Sequence, residues 1–187
     1  MLADILIKTP EQRIFSLFAM NPDRPFYLRE ISRRLNISLG ATYGALIELE
    51  KARILTSRTI GKTKLFEVDA ENSQASLKSF RVLTSVLILE PLVELLKSHT
   101  SRVILYGSYA RGTFSLESDL DLFIVSDERE VVLGQINYFL RNIEIDIRPV
   151  IMGSVEWMNL EKADPEFFRE VTGGFSLWEE QLDESGF

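Results

Sequence analysis

Two aspartates one residue apart, Asp119 and Asp121, open the run Asp119-Leu120-Asp121-Leu122-Phe123-Ile124-Val125. On a strand, successive side chains point to opposite faces, so the two carboxylates share one face while Leu120, Leu122 and Ile124 take the other. Like charges held this close repel unless a cation sits between them, and oxygen ligands favour Mg²⁺ or Mn²⁺. With no cysteine and a single histidine, His99, the chain must hold any metal mainly through carboxylates. Ahead of this pair, Arg102-Val103-Ile104-Leu105-Tyr106 reads as a buried strand running into Gly107-Ser108-Tyr109-Ala110-Arg111-Gly112. A strand ending in Gly-Ser lets backbone N–H groups and a hydroxyl come close to phosphate oxygens, because glycine adds no side chain there. Behind the pair, Glu144-Ile145-Asp146-Ile147-Arg148 alternates like another strand. It places Asp146 opposite Ile145 and Ile147, with Glu144 on the same face as Asp146.

These groups need elements to position them. Leu77 to Leu89 reads as a helix carrying Lys78 and Arg81, too short and too charged to cross a bilayer. A second helix, opened by Pro91, spans Glu90 to His99, and a third spans Glu130 to Asn142 with Val131, Ile136, Phe139 and Leu140 among its apolar positions. Val155 to Val171 is helical and interrupted near Asp164-Pro165. His99 reads as a helix-end residue rather than a base. Trp157, Phe167, Phe168, Phe175 and Trp178 read as packing groups, and Glu179 to Phe187 as a frayed acidic tail.

The first 70 residues follow another plan. Pro10 to Met20 forms a helix with Ile14, Leu17 and Phe18 on one face, closed by Asn21-Pro22-Asp23-Arg24-Pro25. Leu28 to Leu35 forms a second, with Leu28, Ile31 and Leu35 opposite Arg29, Arg33 and Arg34. After Asn36-Ile37, Ser38 is a good N-cap for a third helix from Leu39 to about Ala52, with Thr42, Leu46 and Leu49 inward. Its outer face shows Gly40, Ala41, Tyr43, Gly44 and Ile47, which lack the Arg, Asn and Gln forks that discriminate bases. Ile54 to Ile60 and Thr63 to Val68 flank Gly61-Lys62 as a hairpin.

The 187 residues, 45% hydrophobic and 26% charged, exclude disordered, collagenous and membrane-embedded classes, and the absence of cysteine excludes disulfide scaffolds and thiolate chemistry. Acidic Asp4 and a short apolar start do not suit a signal peptide, so a cytoplasmic protein with no membrane partner is expected. Charge divides the chain: 11 basic against 8 acidic residues up to Ala70, then 10 against 20. The polar stretch Asp69 to Gln74 reads as a connector, giving domains at 1–70 and 99–187 joined by a helical region at 71–98.

Three helices closed by a hairpin resemble a winged helix-turn-helix module, with Leu28-Arg29-Glu30-Ile31-Ser32-Arg33-Arg34-Leu35 as its second helix. The resemblance implies a third helix in the major groove and phosphate contacts from Arg33, Arg34, Arg58, Lys62 and Lys64, with Ser38 and Tyr43 completing the DNA-facing set. The order strand, Gly107-Ser108, helical turn, Asp119-x-Asp121 is similar to the nucleotidyltransferase superfamily related to DNA polymerase β. Gly107-Ser108-Tyr109-Ala110-Arg111-Gly112 with Ser118-Asp119-Leu120-Asp121-Leu122 resembles its minimal branch. That resemblance implies Mg²⁺ or Mn²⁺ on Asp119, Asp121 and Asp146, Glu144 being the runner-up for the third place. It further implies an NTP, expected to be ATP, contacted by Gly107, Ser108, Arg111 and Ser118. Arg111 would neutralise the triphosphate or brace its own loop.

Together the halves resemble small prokaryotic nucleotidyltransferase-domain regulators, whose catalytic relatives include antitoxins and antibiotic-modifying enzymes. The fold expected is α+β, a winged helix-turn-helix domain followed by a mixed sheet with flanking helices. The function expected is Mg²⁺-dependent NMP transfer to a protein or small-molecule hydroxyl, tethered to a DNA-binding regulator. The acidic second half lacks a basic track for a nucleic-acid acceptor. The alternatives are a non-catalytic DNA-binding regulator with a nucleotide-sensing or vestigial site, and an antitoxin acting by contact with a partner toxin. Apolar faces along Leu77 to Leu89 would support a homodimer.

Overall fold

The computed structural model describes residues 7–115, 117–141, 143 and 145–180. The chain divides into two compact units, one ending at Thr84 and one beginning at Ser85.

In the first unit, helix α1 (Pro10–Met20) starts with a reciprocal cap. Gln12 N–H donates to Thr9 Oγ1 at 3.3 Å, while Thr9 N–H donates to Gln12 Oε1 at 3.1 Å. Strand β1 (Phe26–Tyr27) leads into α2 (Leu28–Leu35), which Asn36 ends in the left-handed region at φ 50°. Ser38 then caps α3 (Leu39–Lys51), accepting from Ala41 N–H at 3.3 Å. Strands β2 (Leu55–Ile60) and β3 (Thr63–Val68) form the expected hairpin, with Gly61 at φ +63° in its turn. Ile14, Phe18, Phe26, Ile31, Leu46 and Phe66 bury together, and the inward face of α3 is Thr42, Ala45, Leu46 and Leu49, as its spacing predicts. Strand β1 escapes sequence reading because two residues cannot show alternation. It pairs antiparallel with β3, Phe26 opposite Phe66, completing a sheet of order β1-β3-β2. This is a winged helix-turn-helix topology.

The polar stretch after β3 is not a connector. Helix α4 runs from Ala70 to Leu96, and Asp69 anchors its start, accepting at its carboxylate from Asn72 N–H (3.3 Å) and at its carbonyl from Ser73 Oγ (2.6 Å). Glu71, Asn72 and Gln74 are exposed on a first turn that buries Ser73, which hides the helical period from a hydropathy pattern. Nor does Pro91 open a helix; it lies inside α4. Its missing N–H costs one helical bond, and the fully buried Leu89 and Leu92 on either side hold the helix through it.

The second unit continues with a 3₁₀ turn (Lys97–His99), then β4 (Arg102–Tyr106), the single turn α5 (Gly107–Ala110), β5 (Leu120–Val125) and α6 (Arg129–Leu140). It ends with β6 (Ile147–Met152), α7 (Ser154–Ala163), α8 (Pro165–Thr172) and β7 (Phe175–Glu179). The sheet order is β6-β5-β4-β7, with β5 parallel to β6 and the other pairs antiparallel. One face carries Val103, Leu105, Leu120, Leu122 and Ile124 against Leu89, Leu92 and Leu96 of α4 and Val132, Ile136 and Phe139 of α6. The other carries Ile104, Tyr106, Phe123 and Val125 against Leu160 of α7, Val171 of α8, and Trp157 and Phe167. Within α6, Val132 is buried and Val131 is 40% exposed.

Three expectations near the C-terminal half need correction. The strand read at Glu144–Arg148 begins at Ile147, so Asp146 immediately precedes it, and Glu144 and Asn142 lie outside the described residues. Phe175 is not a core group but is 46% exposed on β7. Glu179 does not belong to a frayed tail: it ends β7 in an ion pair with Arg102, and Glu180 N–H donates to Ser101 O at 2.9 Å. Strand β7 is held by backbone pairing with β4 and by Trp178, whose indole N–H donates to Thr100 O at 3.2 Å. No described helix is long and apolar enough to cross a membrane.

Candidate functional site

Gly107 sits where β4 ends and α5 begins, at φ +70°. A Cβ built there would lie 2.3 Å from Asp121 Oδ2 and 3.2 Å from Asp121 Cγ. Both the left-handed backbone and the missing side chain are therefore required: any other residue would occupy the place of the Asp121 carboxylate. Tyr106 is paired directly opposite Asp121, so the strand end and the carboxylate share one sheet face.

Asp119 immediately precedes β5 and Asp121 is its second residue. Both are half-buried, on the face that packs under α7 and α8, while Leu120 and Leu122 bury on the α4/α6 face. The alternation predicted for the Asp-x-Asp pair is thus present, and the structure brings the two together. Parallel pairing with β6 adds a group that sequence reading did not use. Arg148 lies opposite Asp121, and its Nη2 forms an ion pair with Asp119 Oδ2 at 2.5 Å. Asp146, two residues earlier, is exposed, and its carbonyl accepts from Leu120 N–H at 2.8 Å. It thereby extends the β5–β6 pairing beside Asp119. Its side chain does not join the pair in a cage: among the described residues, no three His, Cys, Asp or Glu side chains gather to hold a metal ion.

A second unforeseen group, an acid, comes from α8. Glu170 stands 4.0 Å from Arg111 Nη1. Burial pushes the Asp121 carboxyl above its ordinary value; Asp119 and Glu170 push in the same direction, while Arg148 and Arg111 pull it down. Burial, Asp121 and Glu170 likewise push the Tyr106 phenol up against the pull of Arg148. Glu170 falls 49 residues after Asp121 in sequence, and only packing of α8 on the sheet brings it near. Arg148 was legible in principle, since it shares the strand face of Asp146 by the same alternation.

The loop between the two halves of the motif is braced from within. Ser108 O accepts from Thr113 N–H at 2.9 Å, Ser118 Oγ accepts from Ser115 N–H at 2.8 Å, and Tyr109 stacks on Phe114 with centroids 3.9 Å apart. Arg111 is exposed beside this loop. His99 donates or accepts at Nδ1 with Glu128 at 2.9 Å, away from the Asp119–Asp121 pair.

In the first unit the expected DNA-facing residues separate into two sets. Arg33, Arg34, Ser38 and Tyr43 are exposed on α2 and at the start of α3, Tyr43 at 52%. On the wing, Lys62 is exposed in the turn, whereas Arg58 pairs with Glu67 at 3.4 Å and Lys64 with Glu50 at 2.8 Å. Burial raises the Glu50 carboxyl, and hydrogen bonds from Lys64 and Ser57, with the Lys64 charge, overcome this to leave it below its ordinary value. A cleft of about 680 Å³ runs between α3 and the wing, lined by Tyr27, Arg29, Tyr43, Ile60, Lys62 and Lys64 among others.

The segment 87–171 matches the family model described as the nucleotidyltransferase domain. Residues 87–171 are a nucleotidyltransferase domain. Its match begins inside α4 and ends in α8, so it includes the Gly107 turn, the Asp119–Asp121 pair, Arg148 and Glu170. Solved structures similar to the chain include the following three. AdcR, the adhesin competence repressor of Streptococcus pyogenes, is 18% identical, with 76% of this chain and 88% of that one covered at a TM-score of 0.38. A candidate nucleotidyltransferase from Sulfolobus solfataricus is 20% identical, with 59% and 91% covered at 0.36. HlyU from Vibrio cholerae is 20% identical, with 44% and 83% covered at 0.35. No curated protein matches the chain.

Proposed function

We propose that this protein transfers a nucleoside monophosphate from an NTP, ATP in the first instance, to a hydroxyl of a protein or small molecule. The winged-helix unit binds DNA in this reading. The observation that carries it is the seat formed by Gly107 and Asp121, where a glycine at positive φ leaves a half-buried carboxylate in the space a Cβ would fill. A purely structural domain has little use for two carboxylates on one face, one of which, Asp121, is held above its ordinary value by burial and by its acidic neighbours.

The donor set, carboxylate oxygens without His or Cys, fits Mg²⁺ or Mn²⁺, which usually bind through one or two carboxylates together with substrate phosphates. Asp119 and Asp121 would hold the ion, and Asp146, whose side chain stands outside the pair here, would have to turn toward them to help hold a second. The bound ions supply charge neutralisation on the entering and leaving oxygens. Gly107 and Ser108 approach the phosphates, Ser118 keeps the loop beside them in shape, and Arg111 offsets triphosphate charge. The acceptor oxygen forms a bond to the α-phosphorus, the bond from that phosphorus to the α–β bridging oxygen breaks, and pyrophosphate leaves with the electron pair. The acceptor's proton would pass to Asp146 once that side chain is turned toward the pair. In the first unit, Arg33, Arg34 and Lys62 present free charge to phosphates. Arg58 and Lys64 must share theirs with Glu67 and Glu50, and Ser38 and Tyr43 meet the duplex at α3.

A second reading, a non-catalytic regulator or a contact antitoxin facing a partner toxin, draws on two observations. Arg148 already supplies a cation to Asp119, and α3 exposes Leu39 and Tyr43 rather than base-reading groups. Thermal midpoints with and without MgATP decide between the readings. A nucleotide at 100 times its Kd adds about 2.7 kcal/mol. An upward shift lost in an Asp119→Ala, Asp121→Ala double variant supports the enzyme, to be followed by label transfer from α-labelled ATP. No shift with any nucleotide leaves the non-catalytic reading.

A further inference from the structure

Arg148 occupies a particular place in the Asp119–Asp121 site. Parallel pairing of β5 with β6 sets it directly opposite Asp121, on the same face, and its guanidinium reaches across to Asp119 Oδ2 at 2.5 Å. The two partners differ in exposure: the Arg148 side chain is 70% exposed and that of Asp119 only 29%. The carboxylate is anchored by the strand, while the arginine arrives from solvent on a long stem and must be displaced before an ion can take that oxygen. An incoming divalent ion would meet a carboxylate whose oxygen is already engaged, and a positive charge beside it.

We propose, building on the nucleotidyltransferase reading above, that Arg148 is a resident counter-ion that weakens the binding of a bare divalent cation at Asp119 and Asp121 and yields more readily to a metal–nucleotide complex. The complex offers the guanidinium a new partner: its planar fork of donors leaves the single oxygen it meets on Asp119 and can take two phosphate oxygens at once. A bare ion offers it nothing and must drive it into water uncompensated. The site is thereby selective for cation and nucleotide arriving together. Arg148 is a positioning residue for the substrate complex, distinct in role from the aspartates that hold the ion.

The test counts free Mn²⁺ by electron paramagnetic resonance over a titration of the full-length protein. Wild type, Arg148→Ala, Arg148→Lys and Arg148→Ala combined with Asp119→Ala and Asp121→Ala are compared, first with Mn²⁺ alone and then with each of the four ribonucleoside triphosphates present. The exposed position of Arg148 leaves folding intact, which circular dichroism verifies. Without nucleotide, Arg148→Ala binds Mn²⁺ about fivefold more tightly than wild type, the factor expected for loss of one partly exposed ion pair, and the triple variant loses that binding. With the preferred nucleotide the order reverses, wild type retaining the complex more tightly than Arg148→Ala and Arg148→Lys lying between. Equal or weaker Mn²⁺ binding by Arg148→Ala, where wild type binds in an aspartate-dependent way, overturns the role of Arg148 and leaves the metal-dependent enzyme standing. Mn²⁺ binding by neither protein, with or without nucleotide, overturns both.

Discussion

Glu50 in the first unit and Asp121 in the second are both half-buried carboxylates with a cation at hand, and their acidities move in opposite directions. Glu50 ties helix α3 to the wing, accepting from Ser57 and Lys64, so the folded state favours its charged form. Asp121 faces Asp119 and Glu170, and burial outweighs what Arg148 and Arg111 return. The first arrangement spends a charge on holding a fold together. The second keeps a charge under stress at a place where an added cation would relieve it. Such opposed settings of the same carboxyl group are what mark Asp121, and not Glu50, as the candidate site residue.

Glycine offers the sharpest way to test this contrast. Gly107→Ala forces a positive φ on a Cβ that would sit on Asp121 Oδ2, so stability should fall by roughly 2–4 kcal/mol and nucleotide-dependent stabilisation should vanish. Gly61→Ala, at φ +63° with open space around it, suffers only the backbone strain, about 1 kcal/mol. Urea denaturation of both variants measures the difference, and equal losses would break the distinction between a turn glycine and a site glycine.

Glu50→Gln comes next. It leaves Lys64 without its charge partner and should cost roughly 0.5–1 kcal/mol at neutral pH, the pair being partly exposed. A carboxylate whose folded acidity is strengthened contributes stability above its unfolded value, here 4.5, and loses it as pH falls through the lower folded value. The wild-type and variant denaturation curves should therefore converge in acid. Asp121→Asn should do the opposite. With the folded value raised above 3.8, the folded state binds the proton more tightly, and wild-type stability falls as pH rises from 3.8 through the folded value. At neutral pH without metal, Asn should therefore stabilise by on the order of 0.5 kcal/mol, a gain that disappears below pH 3.8, while any nucleotide-dependent shift is lost. Destabilisation of Asp121→Asn at neutral pH would place Asp121 in the same class as Glu50.

The smallest effect lies on the wing. If the first unit binds duplex DNA, Lys62→Ala should reduce the salt dependence of binding by about one unit of slope, with little change in sequence preference. Lys64→Ala should change it less, because Lys64 is already paired with Glu50. Gel-shift titrations at several salt concentrations measure both, and equal slopes for the two variants would mean that the Glu50 pair does not compete with phosphate.

Much of the fold is legible because its signals are local. Helix α1 coincides with Pro10–Met20, Gly61-Lys62 marks the hairpin, and the alternation of Asp119 to Ile124 assigns each side chain to its face. The errors fall where local signals are silent or point the wrong way. Polar residues on the solvent side of α4 read as a connector, Pro91 reads as a helix start, and the short pairings of β1 and β7 leave no pattern to detect.

The same division holds for the site. Residue types and spacing alone determined that Asp119 and Asp121 share a face and that oxygen ligands restrict the metals, since the first follows from a two-residue period and the second from side-chain chemistry. That Gly107 abuts Asp121, that Arg148 reaches Asp119 and that Glu170 adds its charge were decided by tertiary structure. Each depends on the register of a neighbouring strand or on the docking of a helix, and those are set by the burial of residues far apart in the chain.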